Sequence, residues 1–263
     1  IAVAIGGYKL LGEFFLGTAL VLVLFSQAAL FLESRRRMNK RDETLQHRIT
    51  KLTDNIYTQM ESFVALNDLI KPKMPLPPLR KDWAPCPDFL KTIAAYIYQN
   101  KPRLVLEAGS GASTLVIAYC LTRLGGGRLV SLENEKTFCA RTEADLHLHD
   151  LDKRAEVLYA PLTQYDINGK KWLWYEIDNI TFPEPIDLFI IDGPPQDVQD
   201  KARYPALPLL FQHLKIGTAI IMDDGNRKAE KEIVKLWLEE FKNVSAEYID
   251  LERGAYILRI GDK

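Results

Sequence analysis

Cysteine and histidine are scarce in this chain, three and four among 263 residues. Cys86, Cys120 and Cys139 show neither metal-ligand spacing nor a paired framework, which excludes a zinc module and a disulfide scaffold. They read as reduced, structural thiols suited to a cytosolic compartment. His147, His149 and His213 fall in no ligand pattern. An excess of one charge is also missing. The formal net charge is −1, so there is no global basic signature for nucleic acid and no nucleic-acid partner is expected. No Gly-Lys-Ser/Thr follows a glycine turn, which excludes a phosphate-binding P-loop. There is no internal repeat.

What is present is organised around Leu104-Val105-Leu106-Glu107-Ala108-Gly109-Ser110-Gly111-Ala112-Ser113-Thr114. A short apolar run breaks at Gly109 and resumes at Leu115 with helical spacing through Val116, Ala118, Tyr119 and Leu121. The pattern is a buried parallel strand, a glycine turn and a helix. Glycines let a ligand approach the backbone, and the free N–H groups of the helix start favour polar groups there. A dinucleotide fingerprint wants a third glycine for close helix packing, and that position is Thr114. Glu107 puts a carboxylate at the end of the strand, which suits a cationic ligand group better than a pyrophosphate. About 20 residues on, Glu133 ends a second strand, where an acid accepts hydrogen bonds from ribose hydroxyls.

Downstream, strands and helices alternate. A helix with Asp88 as its expected N-cap runs through Ile97. The helix from Ala112 stops at Gly125-Gly126-Gly127. Strands are expected to end at Glu133, at Ala160, at Asp192 in Ile186–Asp192, and at Asp223 in Gly217–Asp223. Helices fill about 135–146, a stretch containing Pro205 and Pro208 up to Leu214, and 226–241. Two closing strands, 246–251 and 255–260, bracket Arg253-Gly254. The expected fold class is α/β, a seven-stranded mostly parallel sheet with helices on both faces and one antiparallel strand. Ligands should then sit at the carboxyl ends of the strands.

Glu107-Ala108-Gly109-Ser110-Gly111 together with Glu133 resembles the cofactor site of class I S-adenosylmethionine-dependent methyltransferases, over roughly residues 86–260. The resemblance implies S-adenosyl-L-methionine as cofactor. Gly109, Ser110, Gly111 and Thr114 would lie along its methionine part and ribose. Glu107 would take the amino group, and Glu133 with Asn134 the ribose. The adenine region would follow the third strand, at Ala160, Pro161 and Leu162. Asp192, in Ile191-Asp192-Gly193-Pro194-Pro195, stands where the family places cofactor, substrate or metal groups.

Asp192, Asp223 and Asp224 end adjacent strands and form a candidate catalytic set. Three carboxylates there suit a hard divalent cation such as Mg²⁺. In this the sequence looks like catechol-type metal-assisted O-methyltransferases, and like sugar O-methyltransferases with an Asp-Gly-Pro turn. The competing reading makes Asp192 a general base or polar anchor, with Asp223 and Asp224 capping the next turn and helix. The lysine base of catechol-type enzymes would fall on Pro195, so that base is absent. Lys201, Arg203, Tyr204, Arg227 and Lys228 offer a phosphate-binding group or, alternatively, solvated helix charges. Trp172, Trp174 and Tyr175 offer a lid, a stacking surface or core packing.

Upstream of this domain, Phe14–Leu32 carries no charge, a run long enough for one membrane span. Arg35, Arg36, Arg37, Lys40 and Arg41 follow it, against Lys9 before it, which places the C-terminal bulk in the cytoplasm. Leu45, Ile49, Leu52, Ile56, Gln59, Phe63, Leu66 and Ile70 then alternate steps of four and three. That spacing gives a coiled coil over 45–70 and a homo-oligomer, with Gln59 as the polar seam position. The alternative is a helix that packs its stripe on its own domain. Prolines crowd 72–87, a semi-rigid linker in which Trp83 should anchor on the domain.

The expected organisation is therefore an anchor over 1–34, an amphipathic helix over 35–71, a linker over 72–87 and a methyltransferase domain over 88–263. The expected function is a single-pass membrane-anchored O-methyltransferase acting on a glycan, a lipid-linked or a small-molecule hydroxyl. A non-catalytic scaffold subunit is the alternative from another class. A dehydrogenase is a third, disfavoured by Thr114.

Overall fold

The computed structural model describes residues 2–79 and 83–262, with the side chains of 2–14, 16, 17 and 19 outside the description. The chain divides into two compact units, residues 1–56 and 57–263.

The first unit lies within one helix, α1 (Ala2–Ile70), whose last residues belong to the second unit. Among the described residues no helix is long and apolar enough to cross a membrane. The expected span over 14–32 falls partly on residues whose side chains are not described. Its described remainder shows bare apolar side chains, Phe25 and Leu22 being 71% and 69% exposed.

The heptad stripe changes character along α1, with Phe63 still 41% exposed inside the second unit. Leu45, Ile49, Leu52 and Ile56 are exposed, whereas Gln59, Leu66 and Ile70 are buried. Leu66 and Ile70 join Phe89, Ile93 and Val116 in one core cluster. Gln59 is no seam position: its Oε1 accepts the Asp88 backbone N–H at 3.2 Å. A coiled coil over 59–70 is thus corrected. Burying the stripe on its own domain satisfies the same periodicity as a helical partner would.

The second unit is an α/β sandwich. Its helices are α2 (Pro87–Asn100), α3 (Ala112–Leu124), α4 (Lys136–Leu148), α5 (Ala206–Leu210) and α6 (Lys228–Glu240). Its strands are β1 (Leu104–Ala108), β2 (Arg128–Glu133), β3 (Ala155–Tyr159), β4 (Leu162–Ile167), β5 (Lys170–Tyr175), β6 (Ile186–Ile191), β7 (Leu214–Asp223), β8 (Val244–Ile249) and β9 (Ala255–Ile260). Seven strands form one sheet in the order β3-β2-β1-β6-β7-β9-β8. In this sheet β9 alone runs against the direction of the other six strands. Every residue of β1 is buried, as expected of a parallel strand covered on both faces. The strand order reverses between β1 and β6, so a crevice opens beyond their carboxyl ends, where open α/β sheets bind ligands.

Several boundaries move. Cys86, not Asp88, caps α2, and Pro87 takes the first turn, where its fixed φ suits a helix start. Asp88 instead accepts the Glu252 N–H at 2.8 Å and so ties α2 to the closing hairpin. Trp83 is 65% exposed and does not anchor the linker. That role falls to Leu76 and Leu79, packed on the core, and to the Lys73 N–H, which donates to the Tyr119 hydroxyl at 3.1 Å. The stretch with Pro205 and Pro208 makes only the short α5 and a 3-10 turn, Phe211–His213.

The connection from β3 to β6 holds a β-hairpin, β4–β5, where a crossover helix is the usual solution. Its tip is Asn168-Gly169, both at positive φ, 55° and 76°, the geometry of a two-residue turn. The hairpin brings Trp172, Trp174 and Tyr175 into the core on one face of the sheet.

Candidate active site

Glu107 is completely buried at the end of β1. Its Oε2 accepts the Thr114 hydroxyl at 2.6 Å and the Ser131 hydroxyl at 2.7 Å. The Gly111 N–H donates to the same Thr114 oxygen at 2.9 Å. Thr114 thus lies beneath the glycine turn, where it fixes Glu107. Glu107 Oε1 is buried without a partner. Burial pushes the carboxyl up to about 7, against the pull of the Thr114 and Ser131 hydroxyls.

Gly109 holds φ +97, and a Cβ there would lie 3.2 Å from the Gly193 nitrogen. The turn after β1 thus packs backbone to backbone on the turn after β6, which only glycine permits. At the end of β2, Glu133 Oε2 accepts from the Ser110 N–H at 3.1 Å and the Ser110 hydroxyl at 2.9 Å. Its Oε1 accepts the Glu135 N–H at 3.0 Å. Three donors hold this carboxylate rigid at the mouth of the crevice. Asn134 is half-buried beside it, its amide 3.5 Å from Glu135 Oε1. Ala160 follows β3 and bonds through its N–H to the Glu133 carbonyl at 2.7 Å.

Asp192, Asp223 and Asp224 come together as expected, each offering an oxygen within 4.8 Å of the others. The unexpected member is Arg203, buried among them. Its guanidinium donates to the Asp192 carbonyl at 3.0 Å, Asp192 Oδ1 at 3.3 Å, Asp224 Oδ2 at 2.8 Å and the Asp223 carbonyl at 2.8 Å. Arg227 pairs with Asp224 Oδ2 at 2.8 Å, and Glu230 lies 3.8 Å from Arg227. Four carboxylates thus face two guanidiniums. Burial, reinforced by Asp223, pushes the Asp192 carboxyl well above its ordinary range. Burial, with Asp224 beside it, pushes Asp223 up to about 6.

The donor set fits a hard divalent cation on one further count. Asp223 Oδ2 is buried and has no partner. Of the three aspartates Asp192 has the most accessible side chain, 13% against 4% for Asp224.

The basic group does not assemble as a phosphate site. Lys201 pairs with Asp200 at 2.7 Å and Glu232 at 2.9 Å. Arg203 and Arg227 serve the aspartates. The Tyr204 hydroxyl donates to Glu240 at 2.8 Å, and Lys228 is exposed, 3.7 Å from Glu232. The tryptophans are packing residues rather than a lid. Trp174 is wholly buried, and Trp172 packs against Tyr204 with ring centroids 4.5 Å apart. All three cysteines are buried and free, and burial pushes Cys86 and Cys120 up to about 12, so neither is a nucleophile.

Residues 106–225 match the model of a methyltransferase domain. The match begins on β1 and ends just past Asp224, so it spans Glu107, the glycine turn, Glu133, Arg203 and the three aspartates. Solved structures share the fold. An SAH-bound methyltransferase from Podospora anserina superposes with a TM-score of 0.57 at 14% identity, over 81% of this chain and 96% of that one. An O-methyltransferase from Bacillus cereus in complex with SAH gives 0.51 at 19%, over 75% and 90%. The O-methyltransferase TomG from Streptomyces achromogenes, in complex with SAM, gives 0.52 at 14%, over 80% and 96%. No curated protein matches the sequence. The fold here differs from a plain alternation of strands and helices through the β4–β5 hairpin, which the sequence reading passed over. Arg203 was read as a phosphate-binding candidate, and its place among the aspartates was missed because its burial depends on β6 and β7 ending side by side.

Proposed function

We propose that the methyltransferase domain transfers a methyl group from S-adenosyl-L-methionine to a hydroxyl oxygen. The reading is carried by one arrangement: Glu107 and Glu133 at neighbouring strand ends on either side of the Gly109 turn. Glu107 Oε1 would take the cofactor's ammonium and Glu133 its ribose hydroxyls. The B. cereus and Streptomyces structures, O-methyltransferases with SAH and SAM, support oxygen as the acceptor. Asp192, the most accessible of the three aspartates, would orient the acceptor hydroxyl and take its proton. Asp192, Asp223 and Asp224 would hold a divalent cation, which would supply a lowered hydroxyl pKa at the acceptor. The domain's own part is mainly position and electrostatics, since the cofactor carries the reactive group.

Incubation of the full chain with S-adenosylmethionine labelled on the methyl group, and with glycan, lipid-linked and small hydroxylated acceptors, tests this. Label is expected on oxygen, and Asp192→Asn should lower turnover at least about 100-fold while S-adenosylhomocysteine still binds. Label on nitrogen or carbon, or full turnover by the variant, would sink the reading.

The raised pKa of Glu107 sets a pH dependence. The ligand ammonium binds the carboxylate form. Below about pH 7 the unbound carboxyl holds a proton that must leave on binding, so S-adenosylhomocysteine affinity should fall about tenfold per pH unit there. Above it the affinity should be flat. Calorimetry between about pH 5.5 and about pH 8 reads this, and Glu107→Gln should bind weakly with the slope gone. For the unbound protein the sign reverses. A folded pKa above the unfolded one gives stability below about pH 4.5 that is lost as pH rises through about 7.

The proposal extends to location. The apolar run Phe14–Leu32, with Arg35, Arg36, Arg37, Lys40 and Arg41 after it, would hold the domain on the cytoplasmic face of a membrane. The exposed Leu45, Ile49, Leu52 and Ile56 would pair with further copies of the chain. Both rest on the sequence pattern.

A further inference from the structure

The β4–β5 hairpin delivers one side chain to the crevice that no motif marks. Tyr175 is the last residue of β5 and is 1% exposed. Trp174 meets its ring edge-on, with centroids 5.1 Å apart and an interplanar angle of 89°. The phenol tip lies against Gly193 so closely that an added Cβ there would collide with the hydroxyl. The same added carbon would sit 3.1 Å from Gly109 Cα and 3.2 Å from the Ala108 carbonyl oxygen. The hydroxyl therefore lies where the turn after β1 meets the Asp-Gly-Pro turn after β6. Glu133, Arg203, Asp192 and Glu107 all act on it electrostatically.

Among the described residues the hydroxyl has no hydrogen-bond partner. Phenylalanine would fill the same volume, so packing alone does not call for the hydroxyl. Burial, with the surrounding carboxylates, raises its pKa and keeps the phenol protonated, so it faces the crevice as a donor. Glu107 and Glu133 offer only acceptors to a ligand, which leaves the ligand's own oxygens without a side-chain donor from that pair.

We infer that Tyr175 is a cofactor-binding residue, its hydroxyl donating to an oxygen of the S-adenosyl cofactor between the parts held by Glu107 and Glu133. This rests on the methyltransferase reading above. It also gives the hairpin a purpose, because β5 ends where the phenol must point.

The test is Tyr175→Phe in the full chain, followed by calorimetry with S-adenosylhomocysteine and by thermal melting with and without it. The dissociation constant should rise about three- to tenfold, the range of one neutral hydrogen bond. The unliganded melting temperature should stay the same or rise, because no bond within the protein is lost, and the ligand-induced shift should shrink. Unchanged affinity in a folded Tyr175→Phe overturns the inference. So does a lower unliganded melting temperature with affinity intact, which would mark a structural role. Absence of binding by the unsubstituted chain would instead overturn the methyltransferase reading itself.

Discussion

Glu133→Ala is expected to weaken S-adenosylhomocysteine binding by at least about a hundredfold, or about 2.7 kcal/mol, while the chain stays folded. The carboxylate is held by the Ser110 N–H and hydroxyl and by the Glu135 N–H, so it needs no rearrangement to receive a ribose diol. Hydrogen bonds to a charged acceptor contribute roughly 1.5–3 kcal/mol each, and alanine removes both. Glu133→Gln keeps the shape and half the acceptors and should fall between. Circular dichroism establishes folding, and titration calorimetry reads the affinity. A loss smaller than about threefold would mean that Glu133 does not face the cofactor.

The second large effect is on stability. Arg203→Met is expected to destabilise the unliganded protein by about 3–5 kcal/mol, the usual result of removing one partner from a buried ion cluster. The guanidinium spans Asp192, Asp223 and Asp224 through four hydrogen bonds, and without it the carboxylates repel one another in a buried setting. Arg203→Lys keeps the charge but loses the fork and should recover only part of the loss. Urea denaturation near neutral pH measures it. The deficit should shrink as pH falls through about 6, because Asp223, raised by burial to about 6, then takes up a proton and the cluster loses charge. Mg²⁺ should restore part of the deficit by returning a cation to the three aspartates. A fully stable Arg203→Met would show that the cluster is balanced from elsewhere.

The legible and illegible parts of this chain separate on physical grounds. Residues 104–106 of β1, 188–191 of β6 and 219–222 of β7 are short apolar runs, and a strand segment buried on both faces leaves that trace. Glu107, Gly109 and Glu133 were readable because each is fixed by a backbone event, a strand ending or a turn needing positive φ. Asn168-Gly169 between Tyr165-Asp166-Ile167 and Trp172-Leu173-Trp174 carries a hairpin signal, yet the segment between the third and fourth strands was left without an element. Arg203 and Tyr175 stood out in the sequence only as a phosphate-binding and a stacking candidate, with no local signal for the places they take in the crevice. Their roles come from strand ends that meet only in the fold, and a basic residue after an Asp-Gly-Pro turn looks the same whether solvated or buried. The stripe from Leu45 to Ile70 was legible as a helix and illegible as to partner, since packing on a second copy and packing on the chain's own core require the same spacing.

The central claim is that Glu107, Gly109 and Glu133 frame an S-adenosyl cofactor. Titration calorimetry of the folded full chain with S-adenosylhomocysteine tests it most directly. The account predicts saturable binding of one ligand per chain at neutral pH. No heat of binding from a chain shown to be folded at that pH would contradict it.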